Sequence, residues 1–314
     1  MKARLILLTV LGILITAALP AAPRQLTRYP LTLVDDSGNT VVLAAAPTRI
    51  VSQTLATDEI LLSLVDTSRI VAVTTFAVDD QISNVADLAA AVPHKLTQNV
   101  ETIISLRPDL VVVANWSDPG PVRQMRDAGL PVYLIASGVS VPSIEEKIQR
   151  LALMTDEQDT GRQITAAMEK RLGAVSEKIS RISPEKRARV MDYATWGSAQ
   201  GRGSSWDEIV SRAGLMNAVA GLAPDEWGQV PLSKEKVLQI NPDLLVLPGW
   251  VYGDPGGASA FLTRFTQDPA FRGLAAVKND KVLMMPEKLK SATSQYIASA
   301  VEWLARKAYP ELFR

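Results

Sequence analysis

The chain has 314 residues, 47% hydrophobic and 21% charged, with 33 basic side chains balanced by 33 acidic ones. Domains usually run to ~100–200 residues, so this length implies two lobes, and the zero net charge excludes a global field for nucleic acid or anionic lipid. There is no cysteine, which excludes disulfides and thiolate metal sites and leaves no thiol for a lipid.

Residues 1–22 run from Met1-Lys2-Ala3-Arg4 through an uncharged apolar stretch to Pro20-Ala21-Ala22. Basic, apolar and small residues in that order predict a signal peptide and export to a bacterial periplasm. An uncleaved anchor helix is the alternative, because Pro20 spoils a small-x-small cleavage site. LTLVDDSGNTVVL (31–43) alternates around Asp36-Ser37-Gly38-Asn39 and predicts a hairpin. Arg49-Ile50-Val51 opens a buried strand, Thr57-Asp58-Glu59 reads as the cap of an apolar helix, and short apolar runs follow at 70–73, 110–114 and 132–135. Strands alternating with helices predict parallel pairing in an N-terminal α/β lobe over 23–142.

From 143 the period changes. Ser143 to Glu146 reads as a capping box, and Ile164, Met168, Leu172, Val175, Ile179 and Ile182 recur at helical spacing until Ser183-Pro184. The spacing predicts one long helix, of about 35 Å at ~1.5 Å per residue and ended by Ser183-Pro184, joining the lobes within 143–183. A C-terminal lobe over 184–314 then restarts at Arg189–Tyr193, echoes Asp58-Glu59-Ile60 with Asp207-Glu208-Ile209, and closes on a helix within 294–312.

One segment is written twice. NVETIISLRPDLVVVANW (99–116) and SKEKVLQINPDLLVLPGW (233–250) align Glu101 with Glu235, Pro108 with Pro242, Asp109 with Asp243 and Trp116 with Trp250. Each copy predicts a short helix capped by Asn99 or Ser233, a stop before proline, and a strand apolar on both faces. Glu101 and Glu235 fall in the first helical turn, where a carboxylate meets the positive end of the helix dipole. Two equivalent acidic groups, one per lobe, also suit docking of a basic partner. The fold class expected is therefore α/β, two doubly wound lobes related by a pseudo-repeat and joined by a single long helix.

The order Asp35/Asp36 to Val51, Thr57-Asp58-Glu59-Ile60-Leu61, Asn99–Val112, Trp196-Gly197 and Ala308-Tyr309-Pro310-Glu311-Leu312-Phe313 resembles the periplasmic binding proteins for ferric siderophores, haem and cobalamin. The resemblance covers nearly the whole chain after the leader. It implies a monomer that captures a small molecule between two lobes and delivers it to the permease and ATPase of an ABC importer. It also implies that Glu101 and Glu235 dock onto arginines of the membrane subunits. The N-terminal hairpin favours ferric siderophores; cobalamin or haem is the alternative ligand, and an exported sensing module uncoupled from transport the alternative class.

In open parallel sheets ligands bind beyond the carboxyl ends of the strands. Trp116, Trp196 and Trp250 follow predicted strands, Trp206 and Trp227 lie in glycine-rich stretches, and Trp206 and Trp303 read as core. The candidate ligand-binding set is Gln53, Thr54, Phe76, Lys95, Trp116, Trp196, Trp227, Trp250, Tyr252 and Lys290. Aromatic rings would supply flat contact area and the lysines would meet an anionic chelate, unless they simply face water. His94 is the one histidine, too few for a bare zinc or manganese site, so neither a resident metal nor a cofactor is expected. No phosphate loop, dinucleotide-binding fingerprint, nucleophile elbow or zinc-protease helix occurs, which makes a hydrolase the weakest reading.

Overall fold

In a computed structural model of the chain, residues 26–97 and 99–314 are described, so the leader expected over 1–22 lies outside the described residues. The hairpin forms as β1 (Leu31–Val34) and β2 (Thr40–Leu43), paired antiparallel. Its turn is built on Asp35, which accepts from the Ser37 and Asn39 N–H groups at 3.0 and 2.9 Å and from Arg126 at 2.6 Å. The Asp36 N–H donates to the Leu134 carbonyl at 3.0 Å, fastening the hairpin to the first lobe.

That lobe holds β3 (Ile50–Ser52), α1 (Leu55–Leu64), β4 (Ile70–Thr74), α2 (Ala86–Ala90), β5 (His94–Leu96), α3 (Val100–Ser105), β6 (Leu110–Ala114), α4 (Pro119–Asp127) and β7 (Val132–Ile135). Its strands run parallel in the order β5-β4-β3-β6-β7. Strands β4, β6 and β7 are buried along their full length, because helices cover both faces of the sheet. The N-cap of α1 is Thr54, whose hydroxyl accepts from the Thr57 N–H at 3.1 Å. Thr57, Asp58 and Glu59, expected to form the cap, are thus buried residues of the helix, three to five places beyond the actual cap.

The single helix expected over 143–183 is two helices, α5 (Val141–Thr155) and α6 (Gln158–Ile179), packed against each other. Asp156 takes the left-handed conformation (φ 60°) between them, and Thr27 is anchored there through its N–H, 2.6 Å from Asp156 Oδ1. A Cβ on Gly161 would lie 2.6 Å from that of Ala152, so only glycine permits this close approach. The capping box belongs to Ser140 and Ser143, not to Ser143 and Glu146. Only α6, 22 residues and about 33 Å long, leads across to the second sheet.

The second lobe continues with β8 (Arg189–Asp192), β9 (Ser198–Gln200), α7 (Ser205–Arg212), β10 (Met216–Asn217), β11 (Gln229–Pro231), α8 (Lys234–Ile240), β12 (Leu244–Pro248), α9 (Gly257–Gln267), α10 (Ala275–Lys278), β13 (Val282–Met285), α11 (Glu287–Lys290) and α12 (Ile297–Ala308). Its parallel sheet is ordered β10-β8-β12-β13, while β9 and β11 form a separate antiparallel ribbon. Helix α6 packs on α5, α12 and α7. Its stripe Met168, Leu172, Val175 and Ile179 joins one apolar core that runs from Ile50 and Leu110 to Val190, Trp206 and Leu304. The connecting helix is therefore packed along one face against the body of the protein, with its opposite face exposed.

The twin segments occupy equivalent places in separate sheets, β6 beside β3 and β12 beside β8. Asn99 accepts from the Thr102 N–H at 2.9 Å, and Ser233 from that of Lys236 at 3.2 Å. Arg107 and Asn241, each before a proline, take φ values of 48° and 43°. Asp109 accepts from the Arg49 N–H at 2.7 Å and Asp243 from the Arg189 N–H at 2.8 Å. The guanidinium groups of Arg49 and Arg189 then donate to carbonyls at the ends of α3 and α8, those of the C-cap residue Leu106 and of Ile240, at 2.6 and 2.8 Å. The repeat is a folding device: each copy closes a helix and ties it to the neighbouring strand.

Candidate functional site

The first sheet reverses its strand order between β3 and β6, the place where the backbone splays open and leaves a crevice. A cavity of about 660 Å³ opens there. All five strands deliver their carboxyl ends to it: Gln53 and Thr54 after β3, Thr74 to Phe76 from β4, Leu96 and Thr97 from β5, Ala114 and Trp116 from β6, and Ile135 to Ser137 from β7. The second lobe contributes Tyr252 and Thr293. The wall rings of Phe76, Trp116 and Tyr252 are 47%, 64% and 77% exposed, large apolar groups left out of the core around one hollow.

Behind the lining residues Thr57 and Thr74 lies a buried polar layer. Ser52 and Thr54 both share hydrogen bonds with the Thr57 hydroxyl, at 2.7 and 2.8 Å. Asp58 accepts from the N–H and hydroxyl of Thr74 at 3.2 and 2.5 Å, while its second oxygen has no partner. Burial pushes its carboxyl up to about 7, against the lowering pull of the Ser52 and Thr74 hydroxyls. Next to it, Glu59 reaches across the lobes: Ser294 donates to one carboxylate oxygen, and Asn84 donates to the other from its backbone N–H at 2.9 Å and its amide at 2.7 Å. Burial raises the pKa of Glu59 as well.

Five of the expected ligand residues, Gln53, Thr54, Phe76, Trp116 and Tyr252, line this cavity. The other five do not. Lys95 turns back to cap α2, donating to the Ala90 carbonyl at 2.9 Å and to that of Val92. Lys290 is buried in an ion pair with Asp192 at 3.3 Å, so its charge is already matched inside the second lobe. Trp250 packs edge-on against Tyr252, ring centres 5.8 Å apart, behind the wall. Trp196 and Trp227, 74% and 75% exposed, flank the β9–β11 ribbon outside the cavity. Trp206 is fully buried in the core, as expected.

Sequence reasoning missed Lys147, which lines the cavity although only 3% exposed. Its ammonium donates to the carbonyls of Ser137 and, at 3.2 Å, Thr293, so it touches both lobes from α5. Burial lowers its pKa to about 8, with Asp36 opposing that shift. The signal was present in the sequence: Lys147 stands three residues after buried Ile144 and four before buried Leu151, inside the apolar stripe of α5.

Residues 50–289 match the periplasmic binding protein family. The chain belongs to it. A relative in Bacillus subtilis, the uncharacterized ABC transporter substrate-binding lipoprotein YvrC, is 25% identical over 292 residues, 91% of this chain and 88% of that protein. The molybdate-binding protein MolA of Haemophilus influenzae is 24% identical over 251 residues, 71% of this chain and 68% of that protein. The solved structure of MolA bound to molybdate superposes with a TM-score of 0.75 at 22% identity, covering 90% of this chain and 92% of that one. The periplasmic heme-binding protein RhuT from Roseiflexus sp. RS-1 gives 0.71 at 21% identity, over 84% and 98%. These superpositions establish the two-lobed fold. Within this periplasmic binding protein, Glu101 and Glu235 stand exposed at matching positions in the first turns of α3 and α8. Among the described residues no helix is long and apolar enough to cross a membrane.

Proposed function

We propose that this chain is the periplasmic substrate-binding component of an ABC importer, which takes a ferric siderophore into the cavity between its lobes and hands it to the membrane permease. The cavity carries this reading. Its volume of about 660 Å³ falls within the ~300–1,000 Å³ typical of sites for drug-sized organic ligands. A bare tetrahedral oxyanion displaces roughly three or four waters, ~100 Å³ at ~30 Å³ each, and would leave most of this space unused. The wall consists of apolar carbon, aromatic rings, hydroxyls and one ammonium. Such a surface suits an iron already wrapped by its chelator, whose outer atoms are organic, better than a naked ion seeking His or carboxylate ligands. Haem is a second reading, favoured by the exposed Tyr252 phenol on the wall, a group able to serve as an axial ligand.

Delivery requires a surface that the importer recognises, and Glu101 and Glu235 supply one carboxylate per lobe for cationic partners. The test has two parts. Intrinsic fluorescence is titrated with a ferric tris-catecholate, a ferric tris-hydroxamate, haem, cyanocobalamin and molybdate. Quenching by an iron chelate that is lost in Trp116→Phe supports the reading, and saturable binding of cyanocobalamin or molybdate alone contradicts it. The double variant Glu101→Lys/Glu235→Lys should then keep that affinity and lose uptake by whole cells; retained uptake refutes docking through these residues.

A further inference from the structure

Charged side chains are almost never fully buried without a counter-charge, because the loss of hydration is not repaid. Lys147 breaks that rule. It is 97% buried by its 3% exposure, and among the described residues no carboxylate lies within ion-pair distance of its ammonium. The nearest acidic influence, Asp36, is already engaged by Arg150 and by the Ala136 N–H at 2.6 Å. Two of the three ammonium donors go to neutral carbonyls, those of Ser137 and Thr293. The head group borders the 660 Å³ cavity, and among the described residues it is the one charged group of that wall.

The surroundings are shaped to keep it there. Gly138, at φ +64°, lies so close that an added Cβ would stand 3.2 Å from Lys147 Cε and 3.4 Å from Nζ. A side chain at 138 would press on the lysine head, and the positive φ favours glycine there. An unmatched cation held at the bottom of an apolar, aromatic-walled hollow lacks one thing, an anion, and the hollow is where one would arrive.

We propose that Lys147 is the anion seat of the cavity, and that the ligand is a small molecule presenting an acidic oxygen, a carboxylate or a deprotonated catechol, to the floor between Ser137 and Thr293. The inference rests on the reading of the cavity as the ligand site and narrows the ligand class. The ammonium supplies a charge-assisted hydrogen bond, strengthened because the floor excludes water. Because Lys147 already joins Ser137 of the first lobe to Thr293 of the second, a ligand seated on it is gripped by both.

The test compares probes that differ in charge at similar size: haem against its dimethyl ester, and a ferric tris-catecholate trianion against an uncharged ferric tris-hydroxamate. The wild-type protein should favour the anionic member of at least one pair by tenfold or more. Lys147→Met, which keeps the length and removes the charge, should erase that preference, bringing the ratio of affinities within each pair to about one. Equal wild-type affinity within both pairs overturns the inference, whether or not the variant folds, while still supporting the cavity as a ligand site. Unchanged anion preference in a folded Lys147→Met protein also overturns it. Failure of every probe to bind the wild type counts instead against the ligand class proposed for the cavity.

Discussion

Asp58 gives the most quantitative test of the buried polar layer behind the cavity wall. The side chain is fully enclosed, with one oxygen held by Thr74 and the other without a partner. Burial moves its carboxyl from 3.8 to about 7. Between those values the native state holds a proton that the unfolded chain has released. Stability from this group is therefore fully present below pH 4 and is lost as pH rises through 7. At ~1.36 kcal/mol per pKa unit the full loss is about 4 kcal/mol, reduced toward about 2 by local relaxation around the charge. Asp58→Asn keeps the shape, lets an amide oxygen accept from Thr74, and turns an NH₂ group toward Ser52. The variant should exceed the wild type by about 2–4 kcal/mol at pH 8 and by only about 1 kcal/mol at pH 4.5. Urea denaturation of both proteins at the two pH values measures this difference, and titrations common to both cancel. A variant no more stable at pH 8, or a gain that does not change with pH, would refute the argument that burial holds Asp58 protonated.

The same structure predicts three further outcomes. Glu59→Ala strips the acceptor from Asn84 and Ser294, so it should cost about 1–3 kcal/mol in chemical denaturation, with accelerated amide exchange near Ser294. Trp116→Ala removes a wall ring whose indole N–H donates to the Ser137 hydroxyl at 2.8 Å, and should weaken binding of the tightest probe of the panel by roughly 10–100-fold with little change in melting temperature. Gly161→Ala forces a methyl into the α5–α6 contact and should destabilise the protein by about 1–3 kcal/mol, read as a lower urea midpoint at unchanged slope.

The elements fixed by local chemistry were legible in the sequence. The hairpin follows from alternation around Asp35 to Asn39, and the repeat from a capping residue, a proline and an apolar strand read twice. Its assignment to two sheets needed no structure, because each copy fits one strand flanked by helices. The corner at Asp156 was not legible: no proline or glycine marks it, and the turn depends on the distant Thr27 and on Gly161 meeting Ala152. For the site, residues at the carboxyl ends of β3, β4 and β6 were readable from the rule for parallel sheets, which is why Gln53, Thr54, Phe76 and Trp116 fall on the wall. The second lobe defeated the same rule, since Lys290 is neutralised by Asp192 and Trp196 and Trp227 stand exposed beside the separate β9–β11 ribbon, outside the cavity. Lys147 hid because a helical lysine normally lies on the solvated face.

The proposed cargo site is the strand-order reversal of the first lobe, closed from the other side by Tyr252 and Thr293. A crystal structure grown with a saturating amount of the tightest-binding probe of the panel tests it most directly. The compound should lie between Trp116 and Tyr252, with an oxygen within hydrogen-bond reach of Lys147. A compound bound on the outer surface, or against the β9–β11 ribbon with this cavity still filled by solvent, would contradict it.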